Sequence, residues 1–342
     1  MIHIDGSYGE GGGQILRTSL ALSSILQQPI HLYNIRKRRK RPGLMAQHLM
    51  CVRALKEITS ADVEGDAKGS EELYFFPKRC VPGNYSFNIG TAGSITLFLQ
   101  SVLPVLIFQG EQSTVEVTGG THVPFSPTFD YFNEVFLFML KRIGFDVRSD
   151  IFSYGFYPEG GGRVKVEIKP MGEVRRLELT ERGKIMGVYG TSAVGELSLE
   201  IAERQKQRAE SVLGSAGITP EIECKAVSSP GKGTYIFLKT VANNVTSGFS
   251  SLGAKGKRAE RVGEEAAWKL VEYIKSNACL DPYLSDQILP YIALIGGRWI
   301  FSTAKITEHL KTNLWVIGRF IDFKYKLEGN SVELFSSYSH RL

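Results

Sequence analysis

Residues Ile2–Arg17 read I-H-I-D-G-S-Y-G-E-G-G-G-Q-I-L-R, a short alternating run that passes through glycines into a helical pattern. The helical pattern continues to Leu26, and a strand is predicted from Ile30 to Ile35. A second helix, from Leu44 to Ile58, is followed by two strand-like stretches that end at Phe76. The order of elements is therefore βαβαββ, which is typical of α/β proteins.

The same order of elements returns from Tyr85, with helices predicted from Ser94 to Ile107 and from Phe129 to Ile143. A fragment of sequence repeats as well, because Glu10 with its three following glycines is matched by Glu159 with three glycines. This repetition predicts two copies of one structural unit, each of roughly 80 to 90 residues.

Beyond the second copy the rhythm of the sequence changes. A charged helix from Glu196 to Leu213, two strands and a polar Ser/Gly stretch from Ser247 to Gly256 suggest a small inserted domain. The long helix from Arg258 to Ile274 and the apolar region from Ile288 to Ile295 then suggest a third, less regular copy of the unit.

We therefore expect an α/β (α+β) fold with two domains. The large domain, residues 1–180 and 277–342, holds three βαβαββ-like units, and a small inserted α/β domain covers residues 181–276. A chain of 342 residues is long enough to give both domains a core.

The composition, 43% hydrophobic and 22% charged, is that of an ordinary soluble globular protein. The first residues do not combine a charged segment with an apolar run, as a signal peptide would. The longest apolar segment, Ile95–Phe108, is interrupted by Gln100 and Pro104. The four cysteines form no C-x-x-C pair and have no histidine at zinc-ligand spacing. These features indicate a cytoplasmic protein without a membrane role.

The basic run, residues 36–41, reads R-K-R-R-K-R and carries the whole positive excess of the chain. Without it, the remaining Lys and Arg residues equal the 35 Asp and Glu residues, so the net charge of +6 belongs to this one segment. For charge runs in general, a solvated loop or a localisation-type signal is the commoner interpretation. The run lies between a strand and a helix, however, and this position makes a site for phosphates or nucleic acid an equal alternative. It contains no aromatic residue, so base stacking from this segment is not indicated.

The glycines between the first strand and the first helix would let backbone amides approach a phosphate closely. The segment matches neither a Walker loop nor G-x-G-x-x-G, and a simple glycine-rich turn with a solvated Glu10 is an equal alternative. Glu10, Gln14 and Arg17 cluster at one helix entry. A carboxylate and a guanidinium together suit a metal-bound polyphosphate.

His309 lies in T-E-H-L-K-T-N, one of six histidines in the chain, and has no metal-ligand partner four residues away. A serine hydrolase is excluded because the chain has no G-x-S-x-G elbow. The polar segment Tyr283–Gln287 precedes an apolar run, and its simplest interpretation is a helix start capped by Ser285 or Asp286.

Seven ordered motifs, taken together, resemble those of the RNA 3′-terminal phosphate cyclases. They extend from Asp5 to Asn313 and read D-G-S-Y-G-E-G-G-G-Q-I-L-R, R-P-G-L-x-x-Q-H-L, G-T-A-G-S, G-G-T-H-x-P-x-S-P, F-Y-P-E-G-G-G, Y-L-S-D-Q and H-L-K-T-N. The resemblance implies a large domain of three βαβαββ-like units, related to enolpyruvyl transferases, with a small inserted domain. It also implies a ligase-type enzyme that acts on RNA.

The resemblance assigns roles to residues that match the motifs. His309 corresponds to the nucleophile, and Glu10 to the carboxylate that binds Mg²⁺ or Mn²⁺ beside the ATP phosphates. The remaining positions are implied to line the ATP cleft or to hold phosphates and RNA: Gln14, Arg17, Gln100, Pro127, Tyr283, Leu284, Ser285, Asp286 and Gln287 for ATP, and Arg36, Arg39 and Gln47 for phosphates and RNA. One departure is Tyr154, which stands where the family often has a basic residue.

The reaction implied by the resemblance has three steps. Histidine attacks the α-phosphorus of ATP, AMP passes to an RNA 3′-phosphate, and the neighbouring 2′-hydroxyl displaces AMP to form a 2′,3′-cyclic phosphate. Two alternatives remain open, a catalytically silent cyclase-like protein of ribosomal RNA processing and a plain RNA-binding module. Retention of His309 and Glu10 argues against the silent protein. The oligomeric state is undecided, and a homodimer is one alternative.

Overall fold

The computed structural model describes residues 1–339, whose strands form four small sheets. Unit 1 consists of β1 (Ile2–Asp5), α1 (Gly13–Leu26), β2 (Ile30–Tyr33), α2 (Ala46–Thr59), β3 (Asp62–Glu64) and β4 (Leu73–Phe76). Its sheet has the order β1-β2-β4-β3. The first two strands are parallel, and β4 runs antiparallel to both of its neighbours.

Unit 2 repeats this topology. It consists of β5 (Asn84–Asn88), α3 (Ile95–Phe108), β6 (Ser113–Gly119), α4 (Phe129–Tyr131), a π-helical segment (Phe132–Phe136), α5 (Leu137–Ile143), β7 (Val147–Ser153) and β8 (Gly162–Ile168). The sheet order is β5-β6-β8-β7, again with the first two strands parallel and the others antiparallel. The predicted repeat of βαβαββ is confirmed in these two units.

A third sheet follows in the chain. Its elements are β9 (Ile185–Gly195), α6 (Glu200–Ser215), β10 (Glu221–Ala226), β11 (Gly233–Ala242), β12 (Thr246–Leu252) and α7 (Ala259–Ser276). The strand order is β10-β9-β11-β12. Helices α6 and α7 pack against each other and share a core of their own with this sheet.

One expectation for this region was wrong. The long helix α7 packs on the third sheet rather than in a third copy of the unit. The polar stretch after Val245 forms the strand β12, which pairs with β11. Gly248 lets that strand approach Phe237 and Val135 closely. The predicted domain boundary at residues 181 and 276 stays a prediction.

The last elements are α8 (Leu284–Gln287), α9 (Leu289–Ile295), β13 (Gly297–Ser302), α10 (Glu308–Ile317), β14 (Phe323–Glu328) and β15 (Ser331–Ser336). Their sheet has the order β13-β15-β14, which matches three of the four strands of units 1 and 2. The place of the missing first strand is taken by Leu179, which forms a parallel bridge with Phe301. The third sheet therefore enters the chain between the first strand and the first helix of unit 3.

Helix α1 lies at the centre of the arrangement, packed against α2, α3 and α10. It thereby brings together the helices of all three units. Within residues 1–339, no helix is both long and apolar enough to cross a membrane. The mixture of helices with small mixed sheets is the predicted α/β fold.

Candidate functional site

The glycine loop, residues 6–12, joins β1 to α1. Asp5 shapes its start, because Oδ1 accepts hydrogen bonds from the Ser7 backbone N at 2.9 Å and from the Ser7 hydroxyl at 2.8 Å. Gly9 and Gly11 have φ of 54° and 56°, a left-handed conformation that glycine adopts without strain. The N-cap of α1 is Gly12, which has no side chain to occupy the first amides of the helix.

His309 is the second residue of α10 and faces this loop. Its Nδ1 lies 2.8 Å from Gln14 Oε1 and 3.0 Å from Glu10 Oε2. A carboxylate oxygen can only accept, so the hydrogen of the neutral imidazole is on Nδ1 and the lone pair is on Nε2. The ring is about half exposed, with 48% of its side-chain surface accessible. Nε2 is therefore the atom that can act as a nucleophile.

The surroundings of His309 favour the neutral ring, chiefly through burial. Burial lowers the pKa of His309 below its usual value; Glu10 opposes this shift, while Arg17 and Arg39 add to it. The imidazole is consequently unprotonated at neutral pH, as nucleophilic attack requires.

Arg17 lies one turn after Gln14 on α1 and is only 9% exposed. Burial lowers the pKa of Arg17, and the nearby Asp286 opposes that shift. Within the described part of the chain, the Nε atom of Arg17 has no hydrogen-bond partner. A buried guanidinium with an unpartnered nitrogen is a group that a bound anion would satisfy.

A pocket opens beside Arg17 between α1, α3 and the helices of unit 3. Its lining residues are Gln14, Arg17, Thr18, Gln100, Phe136, Asp286, Gln287, Pro290, Tyr291 and Asn313. Burial raises the pKa of Asp286 well above its usual range, and Asp281 adds to the shift. The pocket therefore combines a cation and amides with a carboxyl group that favours its protonated form.

The basic run forms a turn after β2 and folds back toward the glycine loop. Arg36 donates from Nη1 to the carbonyl of Gly43 at 2.8 Å. The Nη2 atom of Arg39 lies 3.7 Å from Glu10 Oε2. The structure thus brings Arg39 to Glu10, and Arg38 also reaches the glycine loop, with Nη1 3.5 Å from the Gly9 carbonyl, whereas Arg36 is partly buried and bonded to Gly43.

Three predicted site residues join unit 2 to this centre. The Oε1 atom of Gln47 accepts a hydrogen bond from the Ser94 backbone N, at the start of α3, at 2.9 Å. The Thr96 hydroxyl donates to the Pro127 carbonyl at 2.8 Å. Gln100 lies one helical turn beyond Thr96 and lines the pocket. The structure therefore places Pro127 beside Thr96, which is one helical turn of α3 away from the pocket residue Gln100.

In the segment Tyr283–Gln287, Tyr283 precedes the short helix α8, which comprises the other four residues. Its expected capping by Ser285 or Asp286 is wrong. Asp281 caps it instead, because Oδ1 accepts from the Tyr283 and Leu284 backbone N atoms, both at 2.9 Å. A preceding acidic residue supplies the cap because the helix begins earlier than the polar pattern indicates.

The five residues of this segment have different surroundings. Asp286 and Gln287 line the pocket. Leu284 belongs to the hydrophobic core, and the Ser285 hydroxyl donates to the Pro282 carbonyl at 3.1 Å. Tyr283 is 42% exposed and packs edge-on to Tyr131. Two of the five residues therefore line the pocket, and the other three make packing or hydrogen-bond contacts outside its lining.

Tyr154 lies away from the pocket, at the contact between unit 2 and the third sheet. Burial raises the pKa of Tyr154 and the charge of Asp130 adds to the shift, whereas the nearby Lys225 of β10 opposes it. A cation is therefore present beside Tyr154, contributed by another strand.

Sequence reasoning missed the pocket residues Phe136, Pro290 and Tyr291, and three polar residues that the structure places at the site. Asn313 accepts at Oδ1 from the Thr18 hydroxyl at 2.7 Å and donates from Nδ2 to the Asp286 carbonyl at 2.8 Å. His48 lies against Gly13, and burial together with Arg17 and Arg36 lowers its pKa to about 3. His48 and Asn313 stand inside quoted motifs, so their presence there was the available signal, whereas Thr18 stood outside every motif.

The described residues offer a divalent cation a single carboxylate ligand, Glu10, so substrate and water would supply the others. Among residues 1–339, no group of three or more His, Cys, Asp and Glu side chains is arranged to hold a metal ion. Glu10 contacts His309 and Arg39 through the same oxygen, Oε2. Its Oε1 atom is one hard ligand, and Mg²⁺ commonly takes one or two protein carboxylates and completes its shell with substrate phosphates and water.

Comparison with known proteins agrees with this site. The family model described as RNA 3′-terminal phosphate cyclase matches residues 8–327. A protein of Staphylothermus marinus named RNA 3′-terminal phosphate cyclase is 43% identical, with 97% of this chain and 96% of the relative aligned.

Two further relatives carry the same name. The protein of Sulfolobus acidocaldarius is 44% identical over 98% of this chain and 99% of its own length, and that of Pyrococcus abyssi is 43% identical over 96% of each. The family match, residues 8–327, includes Glu10, the pocket residues and His309. The chain belongs to the RNA 3′-terminal phosphate cyclase family.

Proposed function

We propose that this protein is an ATP-dependent RNA 3′-terminal phosphate cyclase in which His309 is the nucleophile. One observation carries the proposal: Glu10 and Gln14 hold Nδ1 of His309, which leaves Nε2 with a lone pair beside the glycine loop. A silent relative or a plain RNA-binding protein would have no need for an oriented, neutral imidazole at a helix start.

In the first step, Nε2 of His309 attacks the α-phosphorus of ATP. A nitrogen–phosphorus bond forms, the bond to the pyrophosphate oxygen breaks, and pyrophosphate leaves with the electron pair. The imidazole gains positive charge as it attacks, and the carboxylate of Glu10, 3.0 Å from Nδ1, stabilises that charge. The hydrogen stays on Nδ1, so no general base is required.

Arg17 and Arg39 have a second role in this step. Arg17 has an unpartnered Nε beside the pocket, and Arg39 lies over the glycine loop. Guanidinium groups bind phosphate oxygens through paired hydrogen bonds, which would align the displaced group. Glu10 would hold a divalent cation, Mg²⁺ or Mn²⁺, which when bound neutralises phosphate charge.

In the second step an oxygen of the RNA 3′-phosphate takes AMP from His309, and the nitrogen–phosphorus bond breaks. In the third step the 2′-hydroxyl attacks the activated phosphate, AMP leaves, and the hydroxyl proton passes to solvent or to the released AMP. An adjacent nucleophile has an effective concentration that can reach about 10⁵ M, so activation is the demanding part.

Incubation of the protein with α-labelled ATP and a divalent metal tests the proposal. We expect a labelled protein that loses its label in acid and keeps it in base, as a phosphoramidate does. His309→Ala should abolish the label, while His3→Ala, an exposed histidine on the outer face of unit 1, should keep it. Label on His309→Ala equal to wild type would contradict the assignment.

A second substrate separates the steps. A strand that ends in a 3′-phosphate but lacks the terminal 2′-hydroxyl should accept AMP and then accumulate as the adenylylated product, because ring closure needs that oxygen. Release of inorganic phosphate from the strand would identify a phosphatase instead. The cytoplasmic location, the choice between Mg²⁺ and Mn²⁺ and a homodimeric state stay predictions.

A further inference from the structure

Phe125 is fully exposed, with a relative accessibility of 101%. It stands at the tip of the segment Thr121–Thr128, here called the aromatic loop, which follows β6. A phenyl ring in water is unfavourable compared with a buried one by an amount proportional to its apolar area. The ring therefore gains most from a partner that covers it.

The aromatic loop is held firmly at both ends. The Phe129 backbone N donates to the Thr121 carbonyl at 3.1 Å, and the Ser126 hydroxyl donates to the Val123 carbonyl at 2.9 Å. Phe125 itself has φ of 63°, a left-handed conformation that is unusual for a residue with a side chain. A fixed loop that keeps an apolar ring in a costly backbone conformation is typical of a binding feature.

The loop is joined to the pocket wall through α3. The Pro127 carbonyl, two residues after Phe125, is bonded to Thr96 on α3. Gln100, one turn further along α3, lines the pocket. Two residues, the Pro127–Thr96 hydrogen bond and one helical turn together span at most roughly 20 Å, so the ring lies within a few nucleotides of the pocket wall.

The chemistry of the loop excludes an ionic contact. Between Thr121 and Thr128 the only titratable side chain is His122, which is buried and bonded to Asp130 at 2.7 Å. A neighbouring loop carries a second exposed ring, Tyr157, at 66% accessibility, and Phe156 beside it bridges to His122. Neither loop carries a cation, and the exposed charge beside Tyr157 is the carboxylate of Glu159, so the exposed rings suit the flat face of a base rather than a phosphate.

We propose that Phe125 is a stacking platform for an unpaired nucleobase at the mouth of the active site. This inference rests on the proposed function for the identity of its ligands. The base belongs either to the 3′ end of the RNA or to the adenine of ATP, and both present the same aromatic face. Phe125 is thus a binding residue and takes no part in bond formation.

Two measurements on Phe125→Leu test the proposal, because leucine keeps an apolar side chain but removes the ring. One is the ATP concentration that gives half-maximal self-labelling without RNA. The other is the dissociation constant for a single-stranded RNA with a 3′-phosphate, measured without ATP. We expect one of the two to rise about 10-fold, and Phe125→Trp to retain wild-type values.

A change in the ATP measurement alone identifies adenine as the base, and a change in the RNA measurement alone identifies the RNA end. In the second case, an RNA with an abasic terminal nucleotide should bind the wild type more weakly and bind Phe125→Leu with no further loss. Phe335→Leu, an exposed ring on β15, is the matched control and should change neither value.

The proposal is wrong if Phe125→Leu leaves both constants at wild-type values. The RNA measurement involves no chemistry, so it remains decisive even if the protein never labels itself with ATP and the proposed function fails. Thermal unfolding of Phe125→Leu should match the wild type, because the ring is exposed and contributes no core packing.

Discussion

Units 1 and 2 have the same strand order and the same strand directions, yet their carboxyl edges differ in chemistry. In unit 1 the loop after the first strand is the glycine loop with Glu10, and the loop after the second strand is the basic run. In unit 2 the corresponding loops are G-T-A-G-S, residues 90–94, and the aromatic loop. One edge is strongly charged, and the other carries no exposed charge in either loop.

The two edges adjoin, because Gln47 at the start of α2 accepts a hydrogen bond from Ser94 at the start of α3. The comparison teaches that the repeated topology is a scaffold, determined by buried strands and helices, while the loops at the strand ends are free to differ. We interpret unit 1 as the phosphate-binding edge and unit 2 as the base-binding edge, with His309 contributed by unit 3.

The largest effect should come from the glutamates that precede the two glycine triplets. Glu10→Gln should slow self-labelling by roughly 100- to 1000-fold, because the variant lacks the charge that stabilises the imidazole of His309. Glu159→Gln, the matched change in unit 2, should leave the rate unchanged. Labelling kinetics with α-labelled ATP measure both, and equal effects of the two changes would erase the distinction between the edges.

The links of units 1 and 2 to unit 3 also differ. Unit 1 is joined by the neutral pair Thr18–Asn313, and unit 2 by the Tyr131 hydroxyl on Asp281. Burial raises the pKa of Asp281 from 3.8 to about 6. Protonation therefore favours the folded state, so this contribution to stability is complete below the ordinary pKa and is lost as the pH rises through about 6.

We expect Asp281→Asn to remove this dependence on pH. The free energy of unfolding of the variant, relative to wild type, should increase by about 2 to 3 kcal/mol between about pH 4 and about pH 7. Thr18→Val should instead cost about 1 kcal/mol at every pH, because it removes one neutral hydrogen bond. Urea unfolding at a series of pH values measures both, and parallel curves for wild type and Asp281→Asn would contradict the prediction.

The salt dependence of RNA binding should distinguish the charged edge of unit 1 from the uncharged edge of unit 2. Replacing Arg36 and Arg39 by Ala should weaken RNA binding about 10-fold and make it less dependent on salt, since each lost phosphate contact reduces the slope. The pair Lys40→Ala and Arg41→Ala, exposed in the same turn, is the control and should have a smaller effect. Phe125→Leu in unit 2 should leave the salt slope as it is.

The smallest effect concerns glycines at equivalent loops. Gly9 and Gly90 both have positive φ, but a Cβ on Gly9 would lie 2.6 Å from the Thr312 hydroxyl, while one on Gly90 would meet nothing within 4 Å. Gly90→Ala should cost about 1 kcal/mol of stability from backbone strain alone. Gly9→Ala should cost about 1 kcal/mol more.

Adding Thr312→Ala to Gly9→Ala removes the crowded hydroxyl and should recover the extra loss. Denaturant unfolding of the wild type, the two single variants and the double variant measures the coupling between Gly9 and Thr312. An equal cost at Gly9 and Gly90 would show that the glycine loop is not pressed against α10.

Several elements could be predicted from the sequence alone. Helix α1 ends at the predicted Leu26, strand β4 ends at the predicted Phe76, and helix α3 begins within one residue of its predicted start. Alternation in strands and periodicity in helices show which side of a segment is buried, so these elements can be recognised from the local sequence. The strand β12 was not recognised because its buried positions are filled by Ser and Gly, which leave no hydrophobic alternation.

The residue types of the site were also readable, since Glu10, Arg17 and His309 each stand in a distinct motif. Their mutual arrangement was not. His309 and Gln14 are 295 residues apart in sequence, and only the packing of α10 against α1 brings Nδ1 within 2.8 Å of the amide. The sequence by itself determined the elements, the repeat and the reactive groups. The tertiary structure decided which nitrogen of His309 is the nucleophile and which guanidinium is buried, because both depend on contacts between helices that no local pattern encodes.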